Sequence, residues 1–368
     1  MKFLTKNFTS LGESTMSQMR GDITFKIHLS QSLYFIRGIA IVLVVIGHVI
    51  GDNKNDGMRK MYSSEIFVLS WLADFIYTFH MPVFLIVSGV AFAVFSKKDG
   101  SYLEFARSKL NRLIVPLLCW APPFFIFHSL SQGKHFFFID VIKAVIFPYS
   151  MFWFLHALIF ASLFSFCFFK LFISPLWYFL ISIFLFTFSL FFKELLISFY
   201  FSFNIFYALG VFIAYYLPNA HLILEKLSSK IIFLILFSCS ILMLTVKHFM
   251  ATNHHPLATI INGVLAFVFL YTRIDAHRIK LSYEPLNKLL QSAKTNILYA
   301  GKLSMVLYLF HMYFATITRI FLVKGFSLTE PSLHFILGSI TAFLGPILVY
   351  QLLQNRSKVF MYSIGEGK

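Results

Sequence analysis

Arg37 and His48 interrupt a stretch, Tyr34-Phe-Ile-Arg-Gly-Ile-Ala-Ile-Val-Leu-Val-Val-Ile-Gly-His48, that otherwise reads as a membrane-crossing helix. Eleven steps of about 100° bring the second side chain round to within roughly 20° of the first, so the two share a helix face. At about 1.5 Å per residue they stand roughly 16 Å apart along the axis, about half the hydrocarbon core. Ionisable groups at such depth are costly in lipid and face a protein interior, a cavity or each other. An imidazole that titrates near neutrality can move protons, and a guanidinium can hold an anion. The pair predicts chemistry inside a membrane.

Three further histidines fall at comparable depth. His80 lies in Phe79-His-Met-Pro82, His156 in Met151-Phe-Trp-Phe-Leu-His156 and His311 in Tyr308-Leu-Phe-His311. Counting at about 1.5 Å per residue puts all four roughly 5–10 Å below the outer boundary. One such histidine reads as an interhelical hydrogen-bonding residue; four from four helices read as a site. Asp74 at the head of the second apolar segment, Trp153 and His156 complete its outer side as expected substrate-binding residues. The opposite, inner pole is basic. Arg37, Lys109 and Arg112 stand at the inner ends of the first and third segments, where they suit an anionic cytosolic cofactor. Singly, Arg37 could snorkel to the headgroups and Lys109 and Arg112 could be ordinary loop charges. A metal site is not expected, because no helix carries a His-x-x-x-His or His-Glu pair. A Gly-x-Ser-x-Gly nucleophile motif is also absent from the sequence.

The elements that must position these groups follow from composition. Of 368 residues, 58% are hydrophobic and only 12% charged, with 49 Phe, which excludes an ordinary soluble domain and fits an all-α integral membrane protein. Ten apolar segments can be drawn, at 33–51, 75–95, 113–130, 151–169, 175–192, 198–217, 231–249, 257–272, 297–318 and 333–353. With both ends inside, the inner segments carry 20 Lys and Arg and the outer loops 8, while Arg37, Lys247 and Lys302 lie within the drawn helices. That asymmetry predicts cytoplasmic termini and explains the net charge of +16 without nucleic acid. The expected organisation is a basic cytoplasmic arm at 1–32, a ten-helix bundle at 33–353 and a cytoplasmic tail at 354–368. Cys119, Cys167 and Cys239 lie in apolar runs with no paired spacing and are expected to be buried, inert thiols.

Taken together, Arg37-x10-His48, Phe79-His-Met-Pro82 with Ser88-Gly89, Arg112-Leu-Ile-Val-Pro116, Trp153-Phe-Leu155 and Tyr308-Leu-Phe-His311 resemble the acyltransferase-3 family of integral membrane O-acyltransferases. They stand in the family's order, over about 33–353. Lys109-x-x-Arg112 departs from the family's frequent Arg-x-x-Arg: charge is kept, but the planar fork is lost at the first position. The resemblance implies a multi-pass protein of the bacterial cytoplasmic membrane that moves an acetyl or other small acyl group from acetyl-CoA to a hydroxyl of a sugar or cell-surface glycan. It further implies donor phosphates near Lys109, Arg112 and Arg37, and His48, Arg37, His80 and His311 as catalytic groups. His48 would take the acceptor's proton or itself carry the acyl group. The rival reading is a transporter or flippase for a glycan or lipid-linked sugar, against which stands the lack of a visible internal repeat.

Overall fold

The computed structural model describes residues 23–62, 65–96, 101–171, 173–224, 229–250, 256–273 and 284–367, and among them every regular element is a helix. Seven helical stretches are long and apolar enough to cross a membrane: Leu29–Ile50, Phe67–Phe95, Tyr102–Ser131, Phe138–Lys170, Leu196–Tyr215, Ser304–Gly325 and Pro331–Leu353. Pro175–Phe191, Lys230–Leu242 and Thr259–Tyr271 are shorter apolar stretches among the described residues. The ten drawn segments therefore all fall on helices, seven of them of spanning length. The chain is a multi-pass, all-helical membrane protein.

Two drawn segments are corrected. The second is two helices, α2 (Phe67–Tyr77) and α3 (His80–Phe95), with a break at Thr78–Phe79. The ninth straddles α12 (Glu284–Lys302) and α13 (Ser304–Ile320), which meet at a non-helical Leu303. The first helix, α1 (Ile23–Ile50), starts ahead of Leu33, while residues 1–22 of the expected arm lie outside the described residues. So do the loop residues Lys97, Lys98, His254, His255, Arg278 and Lys280. Cys119 is exposed on the lipid-length helix α5 (Val115–Ser131), which corrects its expected burial.

The residues form two compact units. One comprises 1–40, 78–100 and 160–301. In it α3 packs along α9 (Leu196–Leu224), and α9 along α8 (Pro175–Phe191). Glycine makes the α3–α9 contact close. A Cβ on Gly89 would lie 2.1 Å from the Tyr207 carbonyl oxygen, and one on Gly210 2.0 Å from that of Ile86. The same device joins α1 to α12, where Gly38 faces the Ile297 carbonyl and Gly301 faces that of Tyr34. Between helices that have no hydrophobic drive to associate in lipid, such backbone approach is the main source of packing energy.

A buried polar knot holds this unit's other face. The Tyr178 hydroxyl, on α8, donates to Asn204 Oδ1 at 2.9 Å and meets Ser165 Oγ at 2.6 Å, while Asn204 Nδ2 donates to Ser182 Oγ at 2.9 Å. Every polar group of the knot is satisfied, which is what makes it tolerable in an apolar interior. Tyr178→Phe leaves Asn204 Oδ1 without its donor, and we expect a loss of about 1–3 kcal/mol, read as a lowered thermal midpoint in detergent.

The other unit comprises 41–77, 101–159 and 302–368. Ser101 opens α4 (Tyr102–Lys109) with a reciprocal capping box to Glu104. A single π-turn, Leu110–Ile114, then carries Arg112 into α5. The amphipathic α6 (Phe138–Ile146) packs on α5 and precedes α7 (Trp153–Lys170), and α13 pairs with α14 (Pro331–Leu353). The closing helix α15 (Lys358–Ser363), part of the expected tail, packs on α5. Gly365, at φ +81°, itself lies against the Arg112 backbone, where a Cβ would come within 2.9 Å of the Arg112 carbonyl oxygen. The loop after α1 is folded back on its own helix: Met58 N donates to Val49 O at 3.1 Å and Arg59 N to Ile50 O at 3.0 Å.

Candidate active site

The second unit brings two of the four histidines together. His48 sits in the last turn of α1 and His311 in the second turn of α13, their ring centroids 5.2 Å apart. His311 is fully buried. Its Nδ1 lies 2.9 Å from both the Leu307 and the Tyr308 carbonyl oxygens. Carbonyls only accept, so Nδ1 carries the proton and the neutral ring keeps its lone pair on Nε2. That Nε2 is buried and meets no hydrogen-bonding partner among the described residues. A buried acceptor without a donor is costly, and this one is held in a fixed tautomer beside another imidazole.

His48 is half-buried, its Nδ1 3.3 Å from the Tyr77 hydroxyl at the end of α2. It lines a small cleft that is partly open to solvent. Four residues that the sequence reading did not single out as site residues line the same cleft: Asp56, His128, Arg319 and His334. Both ring nitrogens of His128 are taken, by the Tyr149 hydroxyl at 2.9 Å and the Gln132 amide at 2.8 Å. His334 donates from Nε2 to the Leu328 carbonyl at 3.0 Å. These two histidines are braced wall groups. Arg319 reads in the sequence as a loop charge just past an apolar run, and His334 as part of a helix start. Only their convergence with His48 marks them.

The remaining expected site residues fall elsewhere. His80 opens α3 in the first unit and is buried. His156 does not line the cleft: its Nδ1 faces the Phe152 carbonyl at 3.1 Å and its Nε2 that of Val145 at 2.9 Å, which ties α6 to α7. Trp153 opens α7, half-buried and edge-on to Phe154. Asp74 pairs with the buried Arg59 at 3.1 Å, and Arg59 also donates to the Asp52 and Ser70 carbonyls. This pins the loop that carries Asp56. Burial and the neighbouring Asp56 raise the Asp52 carboxyl above its ordinary range, so that loop is also where acid groups crowd. We expect Asp74→Asn to cost about 1–3 kcal/mol of stability through the weakened charged hydrogen bond, with the acceptor KM unchanged. A raised KM at unchanged thermal midpoint would restore Asp74 as a substrate contact.

At the other pole of this unit, Arg112 is exposed and Lys109 lies over the Phe105 ring, 5.0 Å from its centroid. Arg37 is half-buried on α1 in the first unit. Among the described residues, no three His, Cys, Asp or Glu side chains converge as metal ligands would.

The family model described as an acyltransferase domain matches residues 31–351. A nodulation protein, NolL of Sinorhizobium fredii, is 29% identical over 147 residues, which are 38% of this chain and 34% of that protein. The match thus spans about a third of the relative's length. No solved structure matches.

Proposed function

The chain belongs to the acyltransferase-3 family and is an acyltransferase, and from that premise we propose that it moves a small acyl group, acetyl in the first instance, from cytoplasmic acyl-CoA to a hydroxyl of a saccharide. The observation that carries this reading is the pairing of His48, at the cleft, with a His311 whose proton is fixed on Nδ1 and whose Nε2 lone pair is buried and unmet. Hydroxyls are poor nucleophiles until a base takes their proton. In the proposed step the acceptor oxygen attacks the thioester carbonyl while His48 takes the hydroxyl proton. The C–O bond forms, the C–S bond breaks, and the departing thiolate recovers a proton from the imidazolium.

His311 gives His48 a second place for that proton. Its Nδ1–H donates to two carbonyls, which fix the tautomer, while full burial and the neighbouring His48 oppose a lasting positive charge, so the ring holds the proton only in passing. The cationic groups Arg112 and Lys109 suit the donor's phosphates, and Arg37, on the same helix as His48, is a further cationic contact for the donor. The charge asymmetry supports cytoplasmic termini, and the family supports an inner-membrane location.

The test is transfer of label in vesicles supplied with acetyl-CoA labelled in the acetyl group. We expect label in the glycan fraction with wild type and none above background with His48→Ala at equal protein level. Equal labelling by the two would remove His48 from the mechanism.

A further inference from the structure

Arg319 sits on α13 about two turns beyond His311 and lines the cleft that His48 lines. It is half-buried, and among the described residues it makes no hydrogen bond and no ion pair. Asp56, the one carboxylate on the cleft wall, is instead engaged by the Gly57 N–H at 2.8 Å. The other polar groups nearby are committed as well, His128 to Tyr149 and Gln132, His334 to the Leu328 carbonyl. A guanidinium brings five donors in a rigid fork that fits a carboxylate or a phosphate oxygen pair. In a partly enclosed cleft the charge of Asp56 offsets part of its desolvation, and an arriving anion within hydrogen-bond reach offsets more. Arginine so placed is a receptor.

Resting on the acyl-transfer reading above, we propose that Arg319 binds a negative charge on the acceptor, so that the preferred acceptor is an anionic saccharide, bearing a carboxylate or a phosphate. The donor is the other anion available to this protein, but its phosphates are held far from its thioester by the pantetheine arm. A group that shares the cleft with the histidine taking the hydroxyl proton meets the molecule that owns the hydroxyl. The charge then serves twice. It adds affinity, and it fixes which hydroxyl faces His48, because a bidentate contact orients as well as holds.

Binding and turnover separate this inference from the reading it rests on. Purified full-length protein in nanodiscs is mixed with glucuronate, glucose 1-phosphate or glucose, and the thermal midpoint is followed against ligand concentration. A ligand that binds only the folded protein raises the midpoint. We expect wild type to bind one or both anionic sugars at least tenfold more tightly than glucose, Arg319→Gln to lose that preference, and Arg319→Lys to keep part of it. A preference for glucuronate alone identifies a uronate carboxylate, and one for glucose 1-phosphate alone a phosphate. Equal binding of all three sugars by wild type, or an undiminished preference in Arg319→Gln, would overturn the inference. A rise in the KM for acetyl-CoA in Arg319→Gln with the sugar preference intact would assign the residue to the donor and overturn it as well. If anionic sugars bind through Arg319 but no label ever reaches an acceptor, the acyl-transfer reading fails and the anion site stands.

Discussion

Replacing His48 by alanine is expected to lower kcat by about 10²- to 10⁴-fold, the contribution of a well-placed general base, with the KM for acyl-CoA within a few-fold of wild type. The separation of the two constants follows from position. His48 lines the cleft beside His311, whereas the cationic groups Lys109 and Arg112 lie on α4 and the π-turn after it. A base that acts only as the hydroxyl proton departs stabilises the transition state and not the bound donor, so kcat and kcat/KM fall together.

The same arrangement predicts how His311 behaves. Its Nδ1 is held by the Leu307 and Tyr308 carbonyls and its ring is fully buried, so we expect it to act through His48, as a positioning group and passing acceptor of its proton, rather than on the substrate. His311→Ala should lower kcat by about 10- to 100-fold, less than the loss of the base itself. The double variant should be no worse than His48→Ala, because a relay loses its purpose once its first member is gone. Additive losses would mean two independent roles. A further mark distinguishes the relay from simple packing: His311→Ala should move the acidic limb of the kcat profile, since one of two coupled imidazoles has been removed. A structural role for His311 would lower the amount of folded enzyme and leave that limb in place.

Much of this architecture is legible in the sequence because lipid leaves the chain few choices. Apolar runs of spanning length must be helical, and the drawn segments do fall on helices. Depth counting also placed His48 and His311 at one level, and they meet. What the sequence hid has three physical causes. Helix breaks need no proline or glycine at the break itself: Leu303 leaves helical geometry between α12 and α13 with apolar residues close on its C-terminal side. An amphipathic helix looks like a loop when read for hydropathy, and so α12, with three lysines, was divided between a loop and the ninth segment. Pairing is non-local: Asp74 faces a cleft or a partner equally well in one dimension, and it meets Arg59, fifteen residues away. Arg319 is the converse case. It passes for a topology signal until the fold sets it on the cleft that His48 lines, with no hydrogen bond or ion pair among the described residues.

The largest loss of stability is expected where helix backbones touch. A Cβ placed on Gly38 would lie 1.9 Å from the Ile297 carbonyl oxygen, and one on Gly301 1.8 Å from that of Tyr34. These atoms belong to main chains of α1 and α12, so no side-chain rotation relieves the overlap and the helices must separate. Separation forfeits the close van der Waals contact along the crossing and the Cα–H···O contacts that such approach allows. Gly38→Ala should therefore cost about 1–3 kcal/mol or more, and Gly38→Leu should yield little folded protein. Gly325 is the natural comparison, since its added Cβ would meet only the Phe321 ring, at 3.6 Å. Gly325→Ala should leave the thermal midpoint in detergent nearly unchanged while Gly38→Ala lowers it by several degrees. Gly38→Ala and Gly301→Ala should also be strongly non-additive, because once the first methyl has parted the helices the second finds room. Equal midpoints for the Gly38 and Gly325 variants would show that α1 and α12 tolerate a wider crossing. Arg37 is the neighbour of Gly38 on α1, and His48 lies three turns further along the same helix. A crossing that holds this part of α1 thereby holds the turn that carries Arg37.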